Sequence, residues 1–419
     1  MTTDHNGCDS VNPDEARPMR LDAALTQISQ LFKGPTESEV IPLAQALNRV
    51  LAKNLVSEIA VPPFDNSAVD GWAVRGADLL PEGKVCLPVG GRIVAGRPLA
   101  EEVLPRRAYR IFTGAPLPTG LDTVLMQEDC RETEGGVLLP AATPGANLRK
   151  IGDSVAVGDV ALVAGTILKA QHLGVAASLG LASLQVYRRA RVAIFSTGNE
   201  LREPGEFLPE GCLYDSNRPA LAALITRLGC VVRDLGIVRD RPELVRDALT
   251  EAAANHDLII TSGGVSVGEE DHVKAAVQAQ GKLDLWRLAI KPGKPLALGR
   301  IGEAVFLGLP GNPVAVMVTF LLLARPLIAR LSGATMETPR RWMLPAGFSL
   351  KKKAGRREFP RARLVDAANG PRVELFRPDS SAVLTSMVAA DGLVDLPEAA
   401  MDIHPGDLVA FLPFSEVMS

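Results

Sequence analysis

The stretch DLIITSGGVSVG, residues 257–268, decides how the centre of this chain folds. The run LIIT predicts a buried strand, and the glycine pair that follows it predicts a sharp turn. The helix-like segment DHVKAAVQAQG, residues 271–281, comes next. A strand that runs through a glycine turn into a helix is typical of parallel α/β sheets.

The same alternation extends over residues 190–333. The strand-like segments are RVAIFSTGNEL, VVRDLGIVRD and AVFLGLPGNP, and the helix-like segments are NRPALAALITRLGC, RPELVRDALTEAAANH and PVAVMVTFLLLARPLIARL. This pattern predicts a doubly wound, mainly parallel sheet. The apolar run at residues 314–324 is too short to span a bilayer, so it predicts a buried helix.

The regions on either side of residues 190–333 differ from them, and from each other, in composition and hydrophobic periodicity. Residues 20–32, RLDAALTQISQLF, and 41–55, IPLAQALNRVLAKNL, both have a helical amphipathic period. Residues 59–151 are rich in Gly and Pro with short β-like runs, whereas residues 334–419 contain alternating runs such as RVELF and DLVAFLP. We therefore predict an α/β multidomain protein with a disordered tail (1–18), a discontinuous helical/mixed domain (19–58 and 152–189), an inserted small β-rich domain (59–151), the doubly wound domain (190–333) and a C-terminal β barrel-like or sandwich domain (334–419).

Composition limits the classes of function. The chain has 419 residues, of which 47% are hydrophobic and 22% charged, and its net charge is −3. This balance gives no basic excess to attract nucleic acid. The five cysteines are not spaced as C-x-x-C, and the N-terminus lacks a signal-peptide pattern. We predict a soluble, cytoplasmic protein with reduced thiols that binds neither nucleic acid nor membrane.

Ligands of open α/β sheets bind at the carboxyl ends of the strands, where this sequence places polar residues. A glycine loop suits a phosphate or another oxyanion through its amides and the following helix N-terminus, although a tight turn alone would also explain the glycines. The loop residues are Ser262, Gly263, Gly264 and Ser266. The rigid segment RLAIKPGKP adds cations that suit an anion, although a solvated basic face is the alternative: Arg287, Lys291 and Lys294.

Three acids follow strand-like segments, namely Glu200, Asp240 and Asp271. Each could be a helix cap, but carboxylates beside phosphate donors often hold Mg²⁺. In the turn GLPGNP, Asn312 is the predicted N-cap, and this structural role is enough to explain the turn. The spacing predicts a magnesium-assisted site for a phosphorylated or oxyanionic small molecule.

The loop PPFDNSAVDGWA, residues 62–73, also carries two acids. Asp65, Asn66 and Ser67 are ordinary turn residues, and we expect them to shape the loop through bonds to nearby amides. Asp70 is the predicted functional acid of this loop.

Six motifs in order closely resemble the molybdopterin molybdenumtransferases, the molybdenum-insertion enzymes of molybdenum cofactor biosynthesis that include the C-terminal part of gephyrin. The motifs are PPFDNSAVDGWA, IFTGAPLPTGLDTVLMQED, STGNEL, TSGGVSVGEED, LAIKPGKP and GLPGNPVAV. The resemblance runs from about residue 19 to the end. It implies that adenylated molybdopterin and molybdate are converted to molybdenum cofactor, with AMP released and Mg²⁺ required.

The resemblance also implies partners. It implies that the discontinuous domain (19–58 and 152–189) is a linker and dimerisation domain, and that the protein is an elongated homodimer whose cleft lies between the doubly wound domain of one subunit and other domains of its partner. A molybdopterin adenylyltransferase and downstream molybdoenzyme chaperones are further expected partners. Two other functions stay open: molybdopterin adenylyltransferase activity, since those enzymes share the doubly wound domain, and a non-catalytic scaffold on the same fold. The DNSAVDG loop and the flanking regions separate the chain from the adenylyltransferases.

The family's functional positions map onto this sequence residue by residue. The resemblance implies catalytic roles for Asp70, Thr113, Glu200, Asp240, Asp271 and Lys291, of which Glu200, Asp240 and Asp271 are the expected metal ligands. Arg361 and Ser381, or Ser380 by a one-residue slip, join the glycine loop, Arg287, Lys294 and Pro310 in the expected substrate site. The chain departs from the family pattern at Asn199, where Asp is frequent, and at Arg287, where Lys is frequent; Arg is a planar fork and Lys a point charge.

Overall fold

The computed structural model describes residues 18–32, 34–35, 37–264, 272–335, 338–368, 370–377 and 380–418. Within these residues the chain forms two compact units. Of the described residues, those within 18–39, 48–50 and 186–418 belong to the larger unit, and those within 40–47 and 51–185 belong to the smaller unit. The predicted division into a tail and four domains is finer than this and stays a prediction.

The helices, in chain order, are α1 Leu21–Leu31, α2 Ala170–Ser178, α3 Asn217–Arg227, α4 Pro242–Asn255, α5 His272–Gln280, α6 Pro313–Thr319, α7 Arg325–Leu331, α8 Thr385–Ala389 and α9 Phe414–Val417. Short 3-10 helices span Leu43–Gln45, Gly76–Asp78 and Gln127–Asp129, and a π-helical segment spans Phe320–Ala324.

The strands of the first half are β1 Ser38–Pro42, β2 Leu55–Val56, β3 Asn66–Ser67, β4 Gly71–Val74, β5 Lys84–Leu87, β6 Val89–Ile93, β7 Ala108–Ile111, β8 Thr123–Met126, β9 Arg131–Thr133, β10 Gly136–Pro140, β11 Leu148–Arg149, β12 Val160–Leu162, β13 Ser183–Tyr187, β14 Arg191–Thr197, β15 Leu201–Arg202 and β16 Leu213–Tyr214. Those of the second half are β17 Val231–Val238, β18 Leu258–Ser262, β19 Gly281–Arg287, β20 Ile290–Lys291, β21 Pro295–Ile301, β22 Ala304–Leu309, β23 Trp342–Pro345, β24 Leu350–Lys351, β25 Arg357–Glu358, β26 Arg361–Val365, β27 Arg372–Leu375, β28 Gly392–Asp395, β29 Asp402–Ile403 and β30 Leu408–Pro413.

A six-stranded sheet forms the centre of the larger unit. Its strand order is β17-β14-β18-β22-β21-β19. The first four strands are parallel neighbours, because β14 pairs in parallel with β17 and β18, and β18 with β22. β21 pairs antiparallel with both β22 and β19. The sheet is mainly parallel, as the sequence predicts, with antiparallel strands at one edge.

Helices cover both faces of this sheet, because successive side chains of a strand point to opposite sides. Ile194 and Ile260 belong to a core that includes residues of α1, α3, α6 and α7. Phe195 and Ile259, one residue away, belong to a second core with residues of α4 and α5. Each of these four side chains is almost fully buried, which is worth about 1.5–3 kcal/mol per side chain before entropy costs. The doubly wound fold is confirmed.

The helix α6, the π-helical segment and α7 form one continuous helix, Pro313–Leu331, which is long and apolar enough to cross a membrane by composition alone. Most of its apolar window is buried inside the protein. The helix is longer than the predicted apolar run because it continues through Arg325 and Pro326, where the wider π-helical segment precedes a proline that lacks an N–H. Such burial is typical of the core helix of a soluble protein.

The C-terminal region forms a five-stranded antiparallel sheet in the order β23-β30-β28-β26-β27. An isolated bridge between Ala346, just after β23, and Val373 in β27 joins the two edges of the sheet. Val373, Val394 and Phe411 pack in the core that the curved sheet encloses. The barrel-like prediction agrees with this curvature.

The smaller unit contains residues 59–151, which the sequence predicts to be β-rich. Its two larger sheets have the orders β6-β7-β4-β8 and β5-β10-β9. β4 separates two cores, since Ala73 packs with Tyr109 on one side and Trp72 packs with Val137 on the other.

One predicted helix is wrong. α1 forms where RLDAALTQISQLF predicts it, but residues 41–55 form only a short 3-10 helix and strand segments. Asn48 adopts a left-handed backbone with φ of 60°. The N–H groups of Leu51 and Ala52 donate to the carbonyl oxygens of Thr166 and Gln185, each at 3.0 Å, instead of to a preceding helical turn. Long-range backbone pairing therefore overrides the amphipathic period.

Candidate functional site

The carboxyl ends of the parallel strands lie at one edge of the six-stranded sheet. β14 ends at Thr197, β18 at Ser262 and β22 at Leu309. Ser196 pairs with Ser262, and Ser262 with Leu309. The segments that follow these strands therefore start side by side, which is the usual location of a ligand site in such sheets.

A cavity of about 690 Å³ lies in the larger unit and includes this edge in its wall. Its volume suits a small-molecule ligand. Seven of the predicted site residues line it: Gly263, Gly264, Lys291, Lys294, Pro310, Arg361 and Ser381. It is also lined by residues that the sequence did not single out, among them Glu358 and Arg377.

The glycine pair allows a close approach of the backbone. Gly263 and Gly264 have φ values of 86° and 66°, which favour glycine. A Cβ at Gly264 would lie 2.5 Å from Cγ2 of Val273 and 2.8 Å from Oγ1 of Thr197. The Gly263 N–H donates to the carbonyl of Leu309 at 3.2 Å. Gly263 thus lines the cavity without offering its N–H, contrary to the expectation that both amides point outward.

Ser262 is held behind the glycine loop. The side-chain amide of Asn217 donates to Ser262 Oγ at 2.8 Å and to the carbonyl of Gly311 at 2.7 Å. Asn217 thereby connects the start of α3, the end of β18 and the turn before α6. Sequence inspection missed this residue because its partners lie 45 and 94 positions away.

The turn before α6 contacts the C-terminal region. Asn312 occupies the predicted N-cap position, but its side chain donates to Ser381 Oγ at 3.1 Å instead of capping the helix. The Val314 N–H donates to the carbonyl of Ser381 at 3.0 Å. Ser381 is therefore held at the start of α6.

The cations occupy different positions. Lys291 and Lys294 flank Gly293, whose φ is 105° and where a Cβ would lie 2.3 Å from Oγ1 of Thr319. The backbone of the segment that carries both lysines therefore approaches Thr319 too closely for a side chain at position 293. Arg361 is only 2% exposed. Arg287 ends β19 and is not among the residues described as lining the cavity.

Two of the three predicted metal ligands are described, and both follow the sheet edge. Glu200 is exposed and Asp240 half-buried. Asn199 connects their loops, because its Oδ1 accepts the Asp240 N–H at 3.4 Å. A Cβ at Gly198 would lie 2.6 Å from Oε2 of Glu200, so that carboxylate folds back over the glycine. Asp271 and Ser266 lie outside the described residues.

The donor set at this edge fits magnesium only in part. Among the described residues, no three His, Cys, Asp or Glu side chains converge as a metal site. Two carboxylates are nevertheless the oxygen ligands that Mg²⁺ prefers, and Mg²⁺ commonly takes its other ligands from water and substrate phosphates. Glu200 and Asp240 are therefore chemically suited to hold it together with a phosphorylated substrate.

Asp70 and Thr113 lie together in the smaller unit. The Thr113 N–H and Oγ1 donate to Oδ1 of Asp70 at 2.8 and 2.7 Å. These two bonds lower the pKa of Asp70 below its usual value, because both stabilise the carboxylate. The pair is a preformed, ionised acid at the surface of this unit.

The neighbouring residues of the 62–73 loop shape it, as the sequence predicts. Asp65 accepts from Lys150 Nζ at 2.8 Å and from the Ile151 N–H at 2.9 Å, and both bonds lower the pKa of its carboxyl group. Ser67 Oγ donates to the Val69 carbonyl at 2.5 Å.

Replacing Thr113 with Val is expected to raise the pKa of Asp70 towards its usual value. The variant keeps the backbone donor and loses the hydroxyl donor, so the carboxylate is less stabilised. Titration of the Asp70 carboxyl carbon by NMR measures the change. Thr133→Val, in an exposed strand of the same unit, is the matched control and should leave the titration in place. An unchanged Asp70 titration in Thr113→Val would contradict the assignment.

Fold and site together define a multidomain α/β protein with a cationic small-molecule cavity at the carboxyl edge of a mainly parallel sheet. The chain is 39% identical to the molybdopterin molybdenumtransferase of Haemophilus influenzae over 411 residues, covering 96% of this chain and 100% of that protein. It belongs to the molybdopterin molybdenumtransferase family.

Other comparisons agree with this membership. Models of the MoeA N-terminal region (domain I and II), a probable molybdopterin binding domain and the MoeA C-terminal region (domain IV) match residues 19–180, 193–330 and 343–414. Molybdopterin molybdenumtransferase 2 of Mycobacterium tuberculosis is 37% identical over 87% of this chain and 92% of its own length. The crystal structure of the molybdopterin biosynthesis moeA protein of Pyrococcus horikoshii superposes with a TM-score of 0.82 at 26% identity, covering 95% of this chain and 100% of that one.

Proposed function

We propose that this chain transfers molybdenum from molybdate to adenylated molybdopterin, with release of AMP, to give molybdenum cofactor. The observation that carries the proposal is the cavity of the larger unit, where Lys291, Lys294, Arg361 and Arg377 surround a space of small-molecule size. The names of the relatives support transfer of molybdenum to molybdopterin. The adenylated form of the substrate and the release of AMP come from the motif resemblance.

The cavity residues bind and orient anions. Lys291 and Lys294 both line the cavity, so their positive charges face the space that the substrate would occupy. Arg361 adds a planar guanidinium suited to an oxyanion. Preorganised cations in a partly enclosed site stabilise negative charge more strongly than the same groups do in water.

Magnesium is part of the proposal. Glu200 and Asp240, together with Asp271, would hold Mg²⁺, which when bound neutralises phosphate charge and makes the phosphoanhydride easier to cleave. Glu200 and Asp240 would supply ligand oxygens and thereby orient the bound ion.

The test is AMP release from adenylated molybdopterin by the purified protein with Mg²⁺ and molybdate, together with assay of the cofactor formed. We expect molybdate-dependent release, and we expect Lys291→Ala to reduce it by about 100-fold because a charge contact to the reacting anion is lost. The matched control is Lys282→Ala, a strand lysine whose side chain is 80% exposed. Its rate should equal that of the wild type.

Other results would indicate other functions. Consumption of ATP with molybdopterin, without AMP release from the adenylated form, would indicate an adenylyltransferase. Absence of both reactions would indicate a scaffold. Either result would overturn the proposed reaction.

The assembly and location are proposed from the resemblance and the composition. We propose a homodimer that acts in the cytoplasm, with molybdopterin adenylyltransferase and molybdoenzyme chaperones as transient partners. Sedimentation at the 44.4 kDa of a single chain would contradict the dimer.

A further inference from the structure

Glu358 differs in charge from the other described residues that line the cavity of the larger unit, which are basic or neutral. It is the lone acid among the described residues that line this cavity, and its side chain is 8% exposed. A buried carboxylate in a site for anions repels the ligand, so its presence needs a physical reason.

The carboxylate is fixed from two sides. Oε1 accepts from Arg356 Nη2 at 2.8 Å and from its Nε at 3.3 Å. Oε2 lies 3.9 Å from Nζ of Lys291, which is ion-pair range but longer than a hydrogen bond. The first oxygen is thus held by a guanidinium, and the second is directed at the lysine ammonium.

The backbone sets this pairing. β20 and β25 are parallel neighbours in which Lys291 stands opposite Glu358. The Phe359 N–H donates to the Lys291 carbonyl at 2.8 Å, and Glu358 exchanges two backbone bonds of 2.9 Å with Leu396. The carboxylate therefore sits on a braced strand, whereas Lys291 has a long flexible side chain that is 43% exposed.

We propose that Glu358 is a positioning residue of this cavity: its carboxylate keeps the Lys291 ammonium at the cavity wall and offsets part of the positive charge that an oxyanion meets. The proposal rests on the proposed function and extends it. Lysine is a compact charge on a flexible stem, so a fixed counter-charge restricts where the ammonium lies. Partial neutralisation also keeps the cavity from holding its anion too tightly for turnover.

The two parts of the role predict opposite changes in Glu358→Gln. Loss of the negative charge should tighten molybdate binding roughly three- to tenfold. Loss of the restraint on Lys291 should lower kcat about tenfold, because misplaced catalytic groups cost rate. A purely structural role would not lower both KM for molybdate and kcat.

Glu358→Asp separates the two parts and serves as the second variant should Glu358→Gln fold poorly. Asp keeps the charge but withdraws it from Lys291 by one methylene. Its affinity for molybdate should stay near that of the wild type while kcat falls.

The control is Glu374→Gln. Glu374 in β27 accepts from Arg372 with the same two-residue spacing, but its side chain is 41% exposed and it does not line the cavity. We expect wild-type KM and kcat. Equal effects in Glu374→Gln and Glu358→Gln would overturn the proposal.

Calorimetric titration with molybdate alone keeps the two proposals distinguishable. Wild-type protein that binds molybdate but releases no AMP would refute the proposed reaction, while tighter binding by Glu358→Gln would still support the charge role. Affinity in Glu358→Gln equal to or weaker than that of the wild type would overturn the inference, and so would an unchanged kcat in both Glu358 variants.

Discussion

Replacing Arg218 with Met is expected to lower the free energy of unfolding of the larger unit by about 3–5 kcal/mol, the usual cost of leaving a buried carboxylate without its partner. Arg218 is 6% exposed and Asp215 is 2% exposed. Nε of Arg218 donates to Asp215 at 3.1 Å, and its two Nη atoms donate to Asp234 and Glu203. One guanidinium therefore holds three acids.

The expected loss has a specific cause. Burial alone would lower the pKa of Arg218, but the carboxylates of Glu203 and Asp234 outweigh it and raise that pKa above its usual value. Met fills the space of the side-chain stem but removes every donor. Asp215 then remains in the interior with only its backbone bonds to the N–H groups of Asn217 and residue 218.

Urea unfolding, with the transition of the larger unit followed separately, measures the effect. Arg227→Met at the exposed end of α3 is the matched control and should change the midpoint little. The double variant Asp215→Asn with Arg218→Met should recover part of the loss, since it removes the unpaired charge. A double variant less stable than Arg218→Met alone would contradict this explanation.

The same network bears on the candidate site. Glu200 directly precedes β15 and Glu203 directly follows it. The Leu213 N–H donates to the Glu200 carbonyl at 3.0 Å. By binding Glu203, Arg218 therefore holds the short segment that also carries Glu200.

The elements that the sequence predicts well are those whose signals are local. α4 begins at Pro242, and Val245, Leu249 and Ala252 recur at helical spacing on its buried face. The direction of two strands at the edge of the six-stranded sheet was not predicted, although a local signal for it exists. The pair β21 and β22 is antiparallel with Ile301 opposite Ala304, and the intervening Gly302 has φ of 57°. A glycine in a two-residue turn between apolar runs indicates a hairpin, and this signal was available.

The residues of the candidate site show what local sequence signals can and cannot predict. Lys291 stands in the motif LAIKPGKP, and the family resemblance implies that Arg361 belongs to the substrate site, so a place in an anion site could be predicted for both. Glu358 lies three residues before Arg361, but its burial opposite Lys291 depends on a strand pair between segments 67 residues apart. Residue spacing along one segment carries no information about such a pairing.

Replacing Arg361 with Met is expected to weaken oxyanion binding by roughly 100-fold and to lower the free energy of unfolding by about 2–4 kcal/mol. Its Nε donates to Ser386 Oγ at 3.0 Å and its Nη2 to the Ser380 carbonyl at 3.0 Å. Ser386 is fully buried, and without the arginine its hydroxyl loses a donor and keeps the bond that it donates to the Val383 carbonyl. Ser381, which follows Ser380, accepts the Val314 N–H at the start of α6. We therefore expect the variant to lose both a positive charge and part of the support of this side of the cavity.

Arg361→Lys separates charge from geometry. Lysine keeps the positive charge but cannot reach two partners with a planar fork, so we expect it to recover part of the molybdate affinity and little of the stability. Calorimetric titration with molybdate and thermal unfolding measure the two quantities. Arg363→Met is the matched control, because Arg363 lies two residues along β26 and is exposed, donating to Ala389 and stacking on Phe376. Full stability in Arg361→Lys would show that the charge alone matters, since the two directed bonds to Ser380 and Ser386 are what only the guanidinium supplies.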